Sequence, residues 1–454
     1  MAKFPCLAFL IVCLLFGGTS RAGAGVNVAL EALSLAVLLL TVWLGQRIRP
    51  ISRSVGLGWI TLFLVIIYAI QLVPLPPQFW TALSGRDLIV RGYELLNISL
   101  PWRPLSLSQD RTIASAVALL PGLCALSLVL RMPREDYLTL SFAVLAVSTV
   151  SVIVGIVQIV GGQASPLYWH IPQGGDSAHG FFANPNHLST MLLLSIPLLA
   201  ATAKTYSKNM PHLVRPVWAA LAAVGLFFIL GILASESTGG LVLLLPTLLA
   251  SGVLLLKSEA DVERSKRRSA TTVGIALVAL CVPFAIVFLG GHELSLGTSL
   301  GFGELDRLGI ARAATAGIIE YWPYGSGLGT FPLVYPAHED LLLVSSTFIN
   351  HAHNEYVELL FESGLFGAVL IVGVAAWWMK RSLLAWKSAD RSAPWEQAAS
   401  IAIAIIAVHS SFDYPARTPA ILALGAAFCA ILGRNRRLGK ASAVHSDIDV
   451  PPAS

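Results

Sequence analysis

Long apolar segments with almost no charge constrain this chain more than any other feature of its sequence. Apolar residues make up 56% of the 454 residues and charged residues only 12%, whereas soluble domains carry about 25% charged residues. A hydrophobic core explains many apolar residues, but it does not explain a shortage of charge at the surface. Lipid must therefore replace water around much of the molecule. The sequence predicts an integral membrane protein.

A helix needs about 20 apolar residues to span a bilayer, and about twelve segments approach this length. They cover residues 4–17, 26–44, 56–75, 112–130, 138–160, 188–203, 216–234, 239–256, 271–289, 356–379, 398–412 and 418–433. We predict an all-α, polytopic bundle of about twelve transmembrane helices in one domain, residues 1–440, followed by a disordered cytoplasmic tail, 441–454. The first segment is short, and its flanks, Lys3 and Arg21, also fit a cleaved signal peptide.

The distribution of lysine and arginine orients these helices. With the N-terminus in the cytoplasm, 22 of the 30 basic residues fall in cytoplasmic segments and 8 fall outside, as the positive-inside rule requires. Both termini are then cytoplasmic. Three outward loops are long, about 76–111, 161–187 and 290–355, and the last lies between the ninth and tenth helices. The net charge of +5 therefore reflects topology and does not indicate nucleic-acid binding.

The strongest functional candidate is the segment 350–356, Asn-His-Ala-His-Asn-Glu-Tyr, which runs directly into the tenth span. A histidine at a membrane surface can act as a general base near neutral pH, and this segment contains His351 and His353. Two alternatives stay open: the histidines bind zinc together with a nearby glutamate, or they are interfacial residues without a chemical role.

The helix that follows carries carboxylates inside a predicted span. Glu355, Glu358 and Glu362 share one helix face, which we expect to point into the bundle, because a charge in lipid is costly and marks a functional candidate. Gly364 and Gly367 are expected to let another helix approach closely.

The other outward segments hold softer candidates. The loop 161–187 contains His179, Asn184 and Asn186, and Asn186 also fits the N-cap of the next helix. The stretch 322–331 is glycine-rich, but it lacks the lysine of a phosphate-binding loop, so we expect a turn that packs closely on the membrane domain. In the last outward turn, His409 and Asp413 lie four residues apart, which suits either a helix-end hydrogen bond or an orienting role in an active site.

Together these residues resemble the O-antigen ligase and polymerase superfamily of bacterial envelope glycosyltransferases. The strongest match is His353-Asn354, nine residues, then Gly364-Leu-Phe-Gly367, which is similar to the family's signature of His-Asn/Ser/Gln, nine residues and Gly-x-x-Gly. The order of the other segments agrees as well, over residues 110–433.

The resemblance implies a membrane enzyme that needs neither a metal nor another cofactor. It moves a glycan from a polyprenyl (undecaprenyl) diphosphate to an acceptor hydroxyl at the periplasmic face of the inner membrane. The acceptor is lipid A–core in a ligase, or a second lipid-linked glycan in an O-antigen or exopolysaccharide polymerase, and we favour the ligase. The catalytic histidine of the family falls on His353, and the resemblance implies His353 and Asn354 as the catalytic residues. An arginine that holds the diphosphate falls on Arg307.

Two departures concern the diphosphate site. Many members have Ser-Arg-Gly where this chain has Ser237-Thr238-Gly239, and many place an arginine where His179 is the nearest candidate. The binding set that we predict is therefore broad. It comprises Arg307, Arg312, His179, Asn184, Asn186, Glu358, Glu362, Asp413 and Arg417, with Arg111 as a further candidate for the diphosphate.

Two functions of other classes stay open at this point. A transporter for lipid-linked sugar predicts charged residues deep in several spans, whereas Glu31 and the pair Glu358 and Glu362 are the only deep charges here. A non-catalytic assembly protein predicts that His353 can be replaced without any effect on envelope glycans.

Overall fold

The computed structural model describes residues 3–21, 23–44, 54–170, 177–209, 214–257, 304–339, 344, 348–388 and 390–435. The predicted ninth span, 271–289, and the predicted tail, 441–454, lie outside the described residues, as does the first part of the loop 290–355.

The described chain is mostly helical, as the sequence predicts. The first helices are α1 (Lys3–Phe16), α2 (Gly25–Leu44), α3 (Val55–Leu72), α4 (Pro77–Trp80), α5 (Asp87–Leu95), α6 (Gln109–Val117), α7 (Leu120–Arg131) and α8 (Tyr137–Gly161). The others are α9 (Pro185–Asn209), α10 (Val214–Ala234), α11 (Thr238–Leu256), α12 (Glu304–Tyr321), α13 (Phe331–Val334), α14 (Glu355–Trp386), α15 (Ala393–His409) and α16 (Pro419–Gly433). Short 3-10 turns cover Arg134–Asp136, Tyr335–Ala337 and Pro415–Arg417.

One small sheet departs from the all-α prediction. Strand β1 (Pro74–Leu75) pairs antiparallel with β2 (Arg103–Pro104). The two strands close the base of the loop 76–111, so that α4 and α5 project from a fixed stem.

Seven helical stretches of the described chain are long and apolar enough to cross a membrane, with α6 and α7 counted together as one. Three shorter apolar helices accompany them. Each predicted span within the described residues coincides with a helix, except that 112–130 is divided between α6 and α7. The total of twelve crossings stays a prediction. The loop 290–355 also contains regular structure, because α12 and α13 lie within it.

Helix α9 occupies the centre of the bundle. Its span has a mean hydropathy of only 1.4, yet 89% of that span is buried inside the protein, and it packs against α8, α10, α11 and α15. The lower hydropathy reflects buried hydroxyls that pair with those of α8: Ser148 lies 2.9 Å from Ser195, and Ser141 lies 2.5 Å from Thr202. Such pairs satisfy polar groups between helices where water is absent.

Helix α1 is part of the same core. Cys6 and Cys13 are fully buried, and α1 packs against α7, α8 and α16. Retention of this helix and its removal as a signal peptide both stay predictions.

Basic side chains join the C-terminal ends of several helices. Four of them bind carbonyl oxygens of a neighbouring helix end: Lys204 on Leu254, Lys257 on Trp386, Arg381 on Leu432 and Arg434 on Met132. A cation at a helix C-terminus is favourable because the carbonyls there are unpaired. The sequence assigns these ends to the cytoplasm. The contacts show that they meet at one end of the bundle, while the membrane side that this end faces stays a prediction.

Helix α14 is sharply kinked at Gly364, which has φ 53° and ψ −127°. The kink leaves carbonyl groups just before it without partners inside the helix, and the glycine-rich loop binds them. The N–H groups of Ser326 and Gly327 donate to the carbonyls of Phe361 and Glu362, at 3.0 and 2.9 Å. In return, the N–H of Leu365 donates to the Pro323 carbonyl at 2.9 Å. The loop 322–331 therefore packs on the membrane domain, as predicted.

The expected role of the two glycines was wrong. A Cβ on Gly364 would lie 2.1 Å from the carbonyl oxygen of Pro323, and a Cβ on Gly367 would meet Ser363 and Leu359 of its own helix. The nearest atoms belong to the glycine-rich loop at Gly364 and to the same helix at Gly367. Gly364 is needed because the chain adopts a left-handed conformation there, with the loop in direct contact.

We expect Gly364→Ala to lower the free energy of unfolding by about 2–4 kcal/mol, because it adds backbone strain and a steric clash. Thermal unfolding of the detergent-purified protein measures this. Gly373→Ala is the matched control in the same helix, since a Cβ there meets nothing within 4 Å. Equal stability of the two variants would contradict the role of the kink.

Candidate functional site

Three segments meet at the end of the bundle opposite the basic residues, which we call the His353 end. They are the first turn of α9, the segment 350–358 and the turn 409–418. Glu355 joins the segment 350–358 to the turn 409–418. Its N–H donates to the Ser410 carbonyl at 2.8 Å, and its Oε1 accepts the N–H of Ala416 at 3.0 Å. Residues far apart in sequence are thereby held in one site.

Asn354 is the N-cap of α14. Its Oδ1 accepts the N–H groups of Tyr356 and Val357 at 3.0 and 3.1 Å, and its amide donates to the Ser411 carbonyl at 2.8 Å. A side-chain cap satisfies N–H groups that have no partner within the helix. Asn354, predicted as catalytic, therefore positions the residue before it.

His353 has a left-handed backbone, with φ 50°, a conformation that costs about 1–2 kcal/mol for a residue with a side chain. Its side chain is 30% exposed, and its Nδ1 lies 3.8 Å from Oδ1 of the buried Asp413. This distance exceeds a hydrogen bond, but it allows a charge interaction. The predicted catalytic imidazole thus reaches the surface while it faces a buried carboxylate.

Asp413 is surrounded by imidazoles. Burial raises the pKa of Asp413. The possible positive charges of His187, His409 and His353, together with the N–H of Tyr414, lower it by more than burial raises it, so the pKa lies below its ordinary value. The N–H of Tyr414 donates to Oδ1 at 2.9 Å, and His187 Nε2 lies 4.0 Å from Oδ2. An ionised carboxylate here stabilises a neighbouring imidazolium.

Three imidazoles surround the ring of Tyr414. The ring centroids of His351, His353 and His187 lie 4.4, 5.0 and 5.3 Å from its centroid. We call these four residues the imidazole cage. His187 comes from α9 and Tyr414 from the turn before α16, and neither is in the predicted set.

A buried ion-pair network lies beside the cage. Glu358 and Glu362 are 1% and 0% exposed, as expected for a face that points into the bundle. Arg417 Nη2 lies 3.2 Å from Glu358 Oε1 and 3.9 Å from Glu362 Oε2. Glu358 also accepts from the His351 ring and from the N–H of Ala352, both at 2.9 Å.

Arg417 is therefore occupied by carboxylates. Burial lowers its pKa, but the charges of Glu358, Glu362 and Glu355 raise it above its ordinary value. Within the described ranges its partners are protein groups, which makes it a structural cation more than a diphosphate ligand. Substrate contact by Arg417, Glu358 or Glu362 stays a prediction.

The loop before α9 also has structural roles. Helix α9 begins at Pro185, two residues earlier than the predicted cap at Asn186 implies. The N-cap position falls on Asn184, whose Oδ1 accepts the N–H of Asn186 at 2.8 Å. His179 is 1% exposed, and burial lowers its pKa. A neutral His179 does not replace the positive charge of an arginine.

The remaining arginines of the predicted set lie on α12, which packs against α14. Arg312 is exposed, and of Arg307 only the position in this helix is described. Among the described contacts, none joins Arg312 to His353. Thr238, which stands where an arginine is expected, begins α11 beside His409: a Cβ on its neighbour Gly239 would lie 2.9 Å from His409 Nε2.

Sequence reasoning missed Gln71, which connects α3 to the kink. Its amide donates to the Glu362 carbonyl at 2.9 Å, and its Oε1 accepts the N–H of Leu328 at 2.8 Å. A fully buried amide in an apolar span is a signal that could have identified it. His187 and Tyr414 gave no such signal, because only the fold brings them to His353.

The described residues contain no cluster of three or more His, Cys, Asp or Glu side chains suited to a metal. His351 and His353 face different carboxylates, Glu358 and Asp413. The predicted metal independence stays a prediction.

A family model described as O-antigen ligase matches residues 222–372. This segment contains the His353 motif, the kink and Glu358 and Glu362, so the resemblance to the O-antigen ligase superfamily is confirmed. The matched segment of this chain is similar to an O-antigen ligase domain, and the family suggests a membrane enzyme of the ligase or polymerase type. A search of curated proteins finds no match.

We expect Arg417→Gln to destabilise the protein by about 3–5 kcal/mol, because it leaves buried carboxylates without their cation. Thermal unfolding tests this, with the exposed Arg312→Gln as the control, expected within about 0.5 kcal/mol of the wild type. A stable Arg417→Gln protein with a raised donor KM would instead make Arg417 a substrate ligand.

Proposed function

We propose that this protein transfers a glycan from a polyprenyl diphosphate to an acceptor hydroxyl at the periplasmic face of the inner membrane, as an O-antigen ligase does. One observation carries the proposal: the histidine of the family motif is the partly exposed imidazole of a site with a buried carboxylate behind it. The family match supports the reaction class, and the basic residues of the sequence support the side of the membrane.

His353 is the general base of the proposed reaction. Its Nδ1 faces Asp413, and in this proposal Nε2 takes the proton of the acceptor. The acceptor oxygen attacks the anomeric carbon of the donor sugar while its proton passes to Nε2. The bond from that carbon to the phosphate oxygen breaks, and its electron pair leaves with the polyprenyl diphosphate. Asp413 stabilises the imidazolium that forms.

The donor diphosphate binds on the α12 side in this proposal. Arg307 and Arg312 lie on that helix, and arginine suits a diphosphate because it is always charged and binds two oxygens at once. The diphosphate is itself a ready leaving group, so positioning and charge stabilisation supply much of the catalysis. No nucleotide is required.

Placement of the charged groups argues against the transporter. Glu358 and Glu362 are held by Arg417 at the His353 end, and Glu362 also accepts the N–H of Phe331 at 2.9 Å. They brace a fixed structure, whereas a transport path requires polar groups that are free to bind a cargo along its length.

We expect His353→Ala to reduce glycan transfer by at least about 100-fold, the usual contribution of a general base, without lowering the amount of protein in the membrane. The variant is expressed in a deletion strain, and its polysaccharide is analysed by electrophoresis. His170→Ala, in a loop outside the cage, is the control and retains transfer.

The parent deletion strain distinguishes the two enzyme types. Free lipid A–core with polymer still on its carrier identifies a ligase, as we expect, whereas single repeat units identify a polymerase. Normal long-chain polysaccharide in the His353→Ala strain would refute the catalytic role and favour a non-catalytic assembly protein.

A further inference from the structure

The three imidazoles of the cage differ in how their carboxylates hold them. His351 Nδ1 lies at hydrogen-bond distance from Glu358, 2.9 Å, whereas His353 and His187 lie 3.8 and 4.0 Å from Asp413. The hydrogen bond to Glu358 fixes the orientation of the His351 ring. The proposed reaction assigns a role to His353 alone, so the orientation of His351 calls for a separate function.

The hydrogen bonds of Glu358 decide which ring nitrogen of His351 can accept a hydrogen bond from a ligand. Glu358 accepts the N–H of Ala352 and faces the Arg417 guanidinium, so it acts as an acceptor, and the Nδ1 of a neutral His351 must carry the proton. The lone pair is then on Nε2, for which the described residues provide no hydrogen-bond partner. The side chain is 12% exposed, so His351 presents an acceptor atom to a ligand.

A second place for a hydrogen-bonding group is indicated between the side chains of His187 and Asp413, and we call it the His187–Asp413 position. Both side chains are 1% exposed, yet neither ring nitrogen of His187 nor Oδ2 of Asp413 has a hydrogen-bond partner among the described residues. Buried polar atoms without partners are costly, so each of them calls for a partner. An O–H group between the two side chains would accept from His187 Nε2–H and donate to Asp413 Oδ2.

The charge of the surroundings selects the kind of ligand. Glu355, Glu358 and Glu362 face one arginine, Arg417, so carboxylates already occupy the guanidinium charge on this side of the site. It therefore offers no free arginine to a diphosphate, and it suits a hydroxyl-bearing sugar. The ring of Tyr414 and the imidazoles offer flat apolar faces beside hydrogen-bonding atoms, a combination that suits a sugar ring.

We propose that the imidazole cage, with Glu358 and Asp413, is the subsite for the acceptor glycan. His351 Nε2 accepts a hydrogen bond from one acceptor hydroxyl, and the His187–Asp413 position takes a second O–H group. This inference rests on the proposed function, and it assigns the acceptor and the donor to opposite sides of His353.

His351→Asn is the most direct variant, because the asparagine amide still donates to Glu358 while the acceptor atom Nε2 is lost. The purified protein is assayed with a polyprenyl-diphosphate-linked glycan as donor. Lipid A–core, or the lipid-linked repeat unit if the deletion strain indicates a polymerase, is varied as acceptor. We expect the acceptor KM to rise about tenfold, equivalent to about 1.4 kcal/mol, and the donor KM to change less than about twofold.

Glu358→Gln provides a second route to the same readout, and it decides the outcome if His351→Asn fails to accumulate. It removes the charge that orients His351, so its effect on the acceptor KM and that of His351→Asn should be non-additive. The matched control is Glu320→Gln on α12. Glu320 forms a similar pair with His338, at 2.8 Å, away from the cage, and this control leaves both KM values unchanged.

Several results would overturn the inference: an unchanged acceptor KM in the accumulating variants, a parallel rise in donor KM, or additive effects. His187→Gln tests the His187–Asp413 position. A raised acceptor KM supports a sugar hydroxyl there, whereas an unchanged value assigns the position to water and removes His187 from the subsite. If His353→Ala abolishes transfer but the cage variants leave the acceptor KM unchanged, the inference alone fails. If His353→Ala retains transfer, the proposed function fails first.

Discussion

The pairing of the glycine-rich loop with the kink of α14 is the constraint on which the site depends. Gly364 opens two carbonyls that Ser326 and Gly327 then satisfy, and Gln71 bonds to both partners. An unpaired carbonyl at this depth would be costly, because lipid offers no hydrogen bond. The loop and the helix therefore fix one another. The bend holds the first turns of α14, and with them the carboxylates beside the cage, in one orientation.

The distribution of charged residues divides the proposed site into a cage side and an α12 side. The carboxylates of α14 exceed their one arginine, Arg417, so the cage side suits neutral hydroxyl groups. The arginines of α12 lie on another helix and suit phosphate. A transferase that brings a donor diphosphate next to an acceptor hydroxyl is served by this separation, because a strongly basic pocket around the nucleophile would draw the diphosphate into the acceptor position. In the proposed arrangement, His353 acts between the acceptor in the cage and the donor on the α12 side.

Hydrophobic length and charge patterning were sufficient to predict most helices, and helical spacing predicted that Glu358 and Glu362 share a buried face. Both are local properties of the sequence. The kink was missed because a glycine in a helix does not reveal whether its φ is positive, and the cage was missed because His187 and Tyr414 meet only through tertiary packing. Asn186 was taken for a cap that Asn184 provides, since an Asn-Pro-Asn sequence offers two candidates and only the helix start decides between them. The sequence also did not reveal the carboxylate partners of Arg417, because they too meet it only through tertiary packing. Without them, an arginine near a membrane surface suits a phosphate equally well.

Direct transfer by the purified protein tests the central claim most closely. The protein, in lipid vesicles, is supplied with a polyprenyl-diphosphate-linked glycan and lipid A–core or a second lipid-linked glycan, without nucleotide sugar, ATP or added metal. We expect a longer or newly attached glycan and one free polyprenyl diphosphate for each bond formed, detected by mass spectrometry. Absence of both products with the wild-type protein, under conditions where it remains folded, would contradict the account.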